Sequence, residues 1–391
     1  MERNKYYVIR DNSKYRKERI PFFKDILMNP VDVKSIRKEQ KRFNNSSYTY
    51  TIDAEKYQER WDKERDMWNN RMDNEYMYKV YPIGSLDCSC YSEMKLPKKT
   101  GGFRVIHAPS HFTKRKLVDI RSNIINRMMD KTANTHAYAY VKKRSPKDAL
   151  EVHQFNKSRW FLKLDLTKFF DNITWIEFYA KLRMIYPYEK FLNQRTQNSE
   201  YVKEALKACF ALDENTQVRI LYQGSPASPV LSNIFMIPFD YELSKKLREK
   251  GFVYTRYCDD ILISHRNSFD MHEIEDMVTD TFNELGYTTM KLNQQKSRYG
   301  SINGHNFNLG LILNKDNNIT IGNDKKKEFK AMLTRYCHNE LTKQEEKRLK
   351  GLYAYYKGIE EEYIEYVVKK YSEKFGVRYL KETLTGKYID K

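Results

Sequence analysis

Hydrophobic and polar positions recur along this chain with two periods, and the period changes at turn-forming residues. Phe103-Arg104-Val105-Ile106 follows Gly101-Gly102 and is closed by Pro109, which predicts a short strand. From Phe112 to Met129, the residues Leu117, Ile120, Ile124, Ile125 and Met128 recur at helical spacing. Trp160 to Leu166 predicts a strand, Ile176 to Ile185 a helix, and Val230 to Leu247 another helix. Phe252–Tyr257 and Ile261–Ser264 predict strands on either side of a turn holding two carboxylates. Met271 to Leu285 predicts a helix, and Phe307–Leu313 with Ile319–Ile321 a hairpin across Asp316-Asn317-Asn318. Strands and helices interleave irregularly, which favours an α+β fold over a doubly wound sheet.

The two ends read differently from this middle. Residues 1–90 are polar, basic and rich in Arg, Lys, Asn and Tyr. Ile52 to Met77 predicts a helix, with Trp61, Trp68 and Met72 near helical spacing, so the segment reads as a basic helical extension. The chain turns helical and basic again near residue 323. There Leu349, Leu352, Tyr353, Tyr356, Ile359, Tyr363, Val367 and Tyr371 keep close to a 3.6-residue period, with Gly351 and Gly358 as candidate breaks. The expected domains are 1–90, 91–313 and 314–391.

Composition narrows the picture. Lys and Arg number 71 against 52 Asp and Glu in 391 residues, a balance of +19. That excess points to a polyanionic partner, most simply nucleic acid, although a non-binding basic surface or an anionic membrane surface would also carry it. The basic residues are spread along the whole chain, as a long nucleic-acid track requires. The 31 Tyr and 20 Phe suit base stacking, though most such rings belong to a core or its rim. No run of about 18 apolar residues appears, so no membrane-spanning helix is expected. The charged N-terminus is no secretory signal. Five cysteines without a paired framework point to a reducing, cytoplasmic setting. Cys88-x-Cys90 with His107 has neither the common zinc spacing nor an obvious fourth ligand. Cys258 reads as a small buried residue, and Lys325-Lys326-Lys327 as a solvated helix start, with contact to a phosphate backbone as the alternative.

Three carboxylates stand out. Asp165 ends the apolar run Trp160-Phe161-Leu162-Lys163-Leu164, and Asp259-Asp260 sit between two apolar strands. A half-buried carboxylate is costly unless paired or metal-bound. Hairpin turns favour Asn-Gly or Asp-Gly, and two adjacent acids repel, so something must compensate them. Two Mg²⁺ ions about 3.5–4 Å apart would do so and would serve phosphoryl transfer. The plainer alternative is a polar turn and an unrelated strand-end Asp.

Motifs around these residues resemble one family. Tyr257-Cys258-Asp259-Asp260 is similar to the YxDD signature of reverse transcriptases. Leu164-Asp165-Leu166-Thr167-Lys168-Phe169-Phe170-Asp171-Asn172-Ile173 resembles the first palm motif of the group II intron and retron branch. Gln223-Gly224-Ser225-Pro226-Ala227-Ser228-Pro229 resembles the QGxxxSP motif. Gly101 to Ile106 looks like the fingers strand, Leu292-Asn293-Gln294-Gln295-Lys296 like the downstream Lys motif, and Leu309-Gly310-Leu311 like the primer-grip hairpin. The resemblance covers roughly residues 95–325. It implies a right-hand polymerase, with fingers and palm over 91–313 and a helical thumb over 314–391. It also implies Mg²⁺ (two ions, with Mn²⁺ as a substitute) on Asp165, Asp259, Asp260 and the Leu166 backbone carbonyl. Arg104, Lys98 (or Lys99), Leu166, Phe170, Gln223 and Gly224 would contact the dNTP, with Phe170 at the sugar-gate position crowding a ribose 2′-OH. Lys296 would protonate the leaving pyrophosphate.

The resemblance is finer in some places than in others. The Asn-Ala-x-x-His signature of retrons is replaced by Lys147-Asp148-Ala149-Leu150-Glu151-Val152-His153, and near the hairpin Leu309-Gly310-Leu311 stands in place of a clear Val-Thr-Gly. The chain looks most like the "unknown group", defence-associated bacterial reverse transcriptases. That implies a cognate non-coding RNA template, a DNA product, an accessory defence protein, a role against phage and no membrane partner. Two other readings stay open: a catalytically silent RNA-binding protein with a polymerase fold, and an RNA-directed RNA polymerase.

Overall fold

The computed structural model describes residues 90–97, 101–126, 128, 136–185, 188–193, 197–213, 216–302 and 309–386. The expected helix over Ile52–Met77, Lys98, Lys99 and the Phe307 end of the hairpin lie outside them. Helices and antiparallel strands interleave, and the fold class is α+β. Two compact units divide the described chain. The first holds the residues up to Ser145, Lys163–Ile263 and Asp270–Ser297. The second holds Pro146–Leu162, Ser264–Phe269 and the residues from Arg298 onward.

In the first unit, β1 (Tyr91–Pro97) and β2 (Phe103–Pro109) form an antiparallel hairpin in which Leu96 faces Arg104. Helix α1 (His111–Ile120) starts at Ser110, whose Oγ accepts from the Thr113 N–H at 3.2 Å. Its far end widens into a π-helical turn over Arg121–Ile125. β6 (Val253–Tyr257), β7 (Asp260–His265) and β3 (Trp160–Asp165) neighbour one another in that order; Lys163–Asp165 of β3 and Asp260–Ile263 of β7 belong to this unit, and β8 (Arg298–Ser301) belongs to the second. Ile261 to Ser264 are all buried, so β7 is covered on both faces and reads as an apolar run without alternation. In β3, Phe161, Leu162 and Leu164 are buried, whereas Lys163 and Asp165, two apart and so on one face, are half-buried.

Helices α3 (Trp175–Leu182), α4 (Tyr188–Asn193), α5 (Gln197–Lys207), α6 (Ser228–Phe235), α7 (Ile237–Glu249) and α8 (Met271–Glu284) belong to the same unit, as does the short pair β4 (Ala211–Leu212) and β5 (Arg219–Ile220). The single helix expected over Val230–Leu247 is two. Pro238 has no N–H to continue the ladder, and the chain breaks at Met236.

In the second unit, α2 (Pro146–Phe155) and the pair β9 (Ile312–Leu313) and β10 (Ile319–Thr320) accompany four C-terminal helices. These are α9 (Asn323–Cys337), α10 (Lys343–Ile359), α11 (Glu361–Phe375) and α12 (Leu380–Thr385). Neither Gly351 nor Gly358 breaks the helix. The break is at Glu360, where φ is −128°. The Glu360 carboxylate accepts from Thr320 Oγ1 at 2.9 Å, the Ile321 N–H at 2.8 Å and Lys326 Nζ at 2.6 Å. Lys325 donates to the Gly310 carbonyl. Two of the three lysines expected to be solvated are therefore engaged. Among the described residues no helix is long and apolar enough to cross a membrane.

Candidate active site

The site is built where β3 ends and where β6 turns into β7. Leu164 and Leu166 are buried, and that alternation leaves Asp165 on the half-exposed face. The Leu166 N–H donates to the Asp259 carbonyl at 3.2 Å, which ties the strand end to the turn. The segment carrying Lys296 lies alongside. Asn293 N–H donates to the Asp165 carbonyl at 2.8 Å, Thr167 N–H to the Lys291 carbonyl at 2.9 Å, and Leu166 bridges Leu292 antiparallel. The 3₁₀ turn Gln294–Lys296 then brings Lys296 Nζ to 2.9 Å from Asp165 Oδ2.

The turn between β6 and β7 is made by Cys258 and Asp259. Cys258 takes a left-handed conformation, φ 61°, which favours glycine and is costly for a side chain that has a Cβ. A buried network holds it there. Arg256 and Asp240 are fully buried, with Nη2 to Oδ2 at 2.7 Å and Nε to Oδ1 at 2.9 Å. Arg256 Nη1 also donates to Asn233 Oδ1 at 3.2 Å and to the Cys258 carbonyl at 2.9 Å, and the Tyr254 hydroxyl donates to Asp240. A buried ion pair is tolerated when its remaining donors and acceptors are satisfied, as these are. The guanidinium thus pins the turn through its backbone. Cys258 Sγ accepts the Tyr140 hydroxyl at 3.4 Å; burial first, then the Asp259 charge, push its thiol up to about 12, so it stays protonated.

The charges of Asp165 and Asp259 both act on the Asp260 carboxyl. Burial raises the Asp260 carboxyl above its ordinary value, Lys163 pulls it back, and the charges on Asp259 and Asp165 push it up again. Lys163 Nζ lies 2.9 Å from Asp260 Oδ1. The donors are carboxylate oxygens only, the set that hard divalent cations such as Mg²⁺ take, and their mutual repulsion calls for positive charge. In that chemistry the residues fit such an ion. Among the described residues no three His, Cys, Asp or Glu side chains converge as an ion cage; Asp165 and Asp260 each meet a lysine instead.

The other expected contacts gather around β2. His107 N–H donates to the Gln223 carbonyl at 2.8 Å, and its ring stacks on Tyr222 at 3.9 Å between centroids. Gly224 has φ +109°, and a Cβ there would lie 2.6 Å from the His107 carbonyl oxygen. The glycine is required by the chain's own backbone, which crosses β2 at that point. Arg104 lies three residues before His107 on β2, its side chain exposed. Phe170 is half-buried after β3, edge-on to buried Phe169 at 5.3 Å. Cys90 is an exposed free thiol and the His107 ring stacks on Tyr222, whereas Cys88 lies outside the described residues.

Lys163, Arg256 and Asp240 were missed in the sequence. Lys163 had a signal, since it stands two positions before Asp165 and so on the same strand face. Arg256 had one also, as a charge inside an apolar strand.

A strand-end carboxylate beside an acidic hairpin turn, on an α+β frame, is the arrangement of a nucleotidyl-transferring polymerase. A sequence profile described as reverse transcriptase (RNA-dependent DNA polymerase) matches residues 96–336, and the chain belongs to that family. The enzyme class that follows is RNA-directed DNA polymerase, on the right-hand polymerase fold. Among curated proteins, the retron Ec83 reverse transcriptase of Escherichia coli is 29% identical over 307 residues, covering 76% of this chain and 93% of that one. The retron Ec73 enzyme of the same organism is 29% identical over 286 residues, covering 71% and 85%. The retron Mx65 enzyme of Myxococcus xanthus is 26% identical over 284 residues, covering 72% and 64%. The chain is thus retron-like; these relatives do not bear on the defence-associated set. Among solved structures, apo telomerase from Candida tropicalis aligns with TM-score 0.44 at 14% identity, covering 82% of this chain and 71% of that one. Telomerase from Candida albicans with a telomeric RNA fragment aligns at 0.43 and 13%, covering 82% and 66%.

Proposed function

We propose that this reverse transcriptase copies a cognate non-coding RNA into DNA by two-metal phosphoryl transfer, in bacterial defence against phage. The observation that carries the chemistry is the backbone tie that sets the strand end bearing Asp165 against the Asp259-Asp260 turn, Leu166 N–H to the Asp259 carbonyl at 3.2 Å. The cognate RNA template rests on the family resemblance. The defence role rests on the family resemblance alone.

Asp165, Asp259, Asp260 and the Leu166 carbonyl would hold two Mg²⁺ ions, or Mn²⁺ in their place. Ions held there would supply a lowered pKa at the primer 3′-OH and charge neutralisation at the triphosphate. The 3′-oxygen attacks the α-phosphorus of a dNTP and pyrophosphate leaves. Lys296 would hand its proton to that leaving group, a reading supported by its 2.9 Å contact with Asp165. Arg104, on the strand that meets Gln223, would face the triphosphate and stabilise the charge developing there. Lys98 is proposed for the same anion. Gln223 and Gly224 would line the nucleotide's other side, and Phe170 would crowd a 2′-OH, favouring dNTPs.

The test is primer extension on an RNA template with dNTPs and Mg²⁺. The double change Asp259→Asn and Asp260→Asn removes two of the three acidic donors. Synthesis should fall below detection while RNA binding in a filter assay stays within about twofold. Continued synthesis by that variant would sink the proposed site. A wild-type chain that binds RNA but extends nothing with Mg²⁺ or Mn²⁺ would favour the silent binder. Extension with rNTPs only would favour an RNA polymerase.

A further inference from the structure

Lys163 is not explained by strand formation. It interrupts the apolar run of β3, yet its ammonium lies 2.9 Å from Asp260 Oδ1, and both side chains are only 26% exposed. The contact is set by sheet order. β3 and β7 are neighbours, Lys163 and Asp165 share a face two residues apart, and Asp260 is the first residue of β7. Lys296 makes the matching contact on Asp165, but from a side chain 62% exposed on a 3₁₀ turn. Lys163 is the more confined of the two. Its stem rises from a strand flanked by buried Leu162 and Leu164.

We infer that Lys163 is a positioning residue that competes with divalent cations for Asp260 and so sets the cation affinity of the site. This rests on the proposed role of Asp165, Asp259 and Asp260 as cation ligands. The physics is charge competition. An ammonium within hydrogen-bond distance of a half-buried carboxylate supplies part of the positive charge the carboxylates demand, in surroundings where solvent screens it incompletely. A cation binding there must displace the ammonium or share the oxygens with it, and either lowers affinity. The same contact keeps Asp260 from repelling Asp165 and Asp259 before a cation arrives. Lys163 therefore holds the acidic cluster together while making cation binding weaker and reversible. It acts through Asp260 and touches no substrate.

The test measures cation binding rather than catalysis. Mn²⁺ is titrated into the full chain, stripped with EDTA and dialysed, and free Mn²⁺ is read by electron paramagnetic resonance. The proteins are wild type, Lys163→Met, Lys163→Arg and Asp260→Asn, each checked for folding by circular dichroism. Lys163→Met keeps the length of the stem and removes the charge, and it should bind Mn²⁺ about tenfold more tightly. Its melting temperature in EDTA should fall below that of the wild type, and should rise further on Mn²⁺ addition than the wild type's does. Lys163→Arg keeps the charge and should stay near wild-type affinity. If Asp260→Asn weakens binding but Lys163→Met is unchanged or weaker, the competition is overturned and the cation site stands. If Asp260→Asn leaves Mn²⁺ binding untouched, the carboxylates are not the cation site and the inference falls with them.

Discussion

At the scale of single residues, the carboxylates were legible because burying one in an apolar strand carries a cost that needs a reason. Asp165, Asp259 and Asp260 stood in such runs, and the structure ties their backbones together. Their counter-charges were harder to read. Arg256 meets Asp240, which lies 16 positions away on another element, and no periodicity reports such a partner. Gly224 was legible as a glycine in a motif, but its requirement proves to be the close crossing of β2. Phe170 yields a prediction at this scale. It is half-buried against Phe169, so truncating it should leave the fold intact and open space near the proposed sugar position. Phe170→Ala should raise rNTP use relative to dNTP use roughly tenfold, read as the ratio of kcat/KM in single-nucleotide extension. An unchanged ratio would mark Phe170 as a packing residue only.

At the scale of elements, strands and helices with a clean period were found where the sequence put them. Misplaced boundaries came from breaks, and β1, α2, α4, α5 and β8 were not expected at all. Pro238 divides one expected helix, and Glu360 divides another through contacts with Thr320, Ile321 and Lys326, a cause that lies outside the helix itself. Helix α2 was not foreseen, and it carries His153, in the stretch where the retron signature departs. His153 is fully buried. Its Nδ1 lies in hydrogen-bond contact with Ser264 Oγ at 2.6 Å, and Ser264 Oγ with Ser158 Oγ at 2.7 Å. Burial lowers the imidazole to about 3 from an ordinary 6.5. Between those values the unfolded chain holds the extra proton, so His153 costs stability as pH falls through 6.5 toward 3. The slope approaches about 1.4 kcal/mol per pH unit. His153→Gln keeps a hydrogen-bonding group toward Ser264 and does not titrate. The stability gap between wild type and His153→Gln, from urea unfolding, should therefore shrink by about 2 kcal/mol between pH 7 and pH 5. A gap independent of pH would show that the ring is not held neutral.

At the scale of the whole molecule, the charge balance of +19 is a property of sequence alone, and it predicts how RNA is held. Each phosphate neutralised by Lys or Arg releases counterions, so affinity falls along a straight line in log salt. Raising salt from 50 to 200 mM should weaken RNA binding about tenfold or more, by fluorescence anisotropy on a labelled RNA. A flat salt response would mean that the basic surface does not face the phosphates. The sequence by itself determined the α+β class, the family and the three carboxylates in their motif order, because each is written in local period or local chemistry. Tertiary structure decided what surrounds those carboxylates: Lys163 on Asp260, Lys296 on Asp165, and Arg256 with Asp240 beneath the Cys258 turn. Periodicity fixes which face of a strand a side chain takes. Sheet order fixes which strand lies next to it, and a charge finds its partner only when that neighbour is in place.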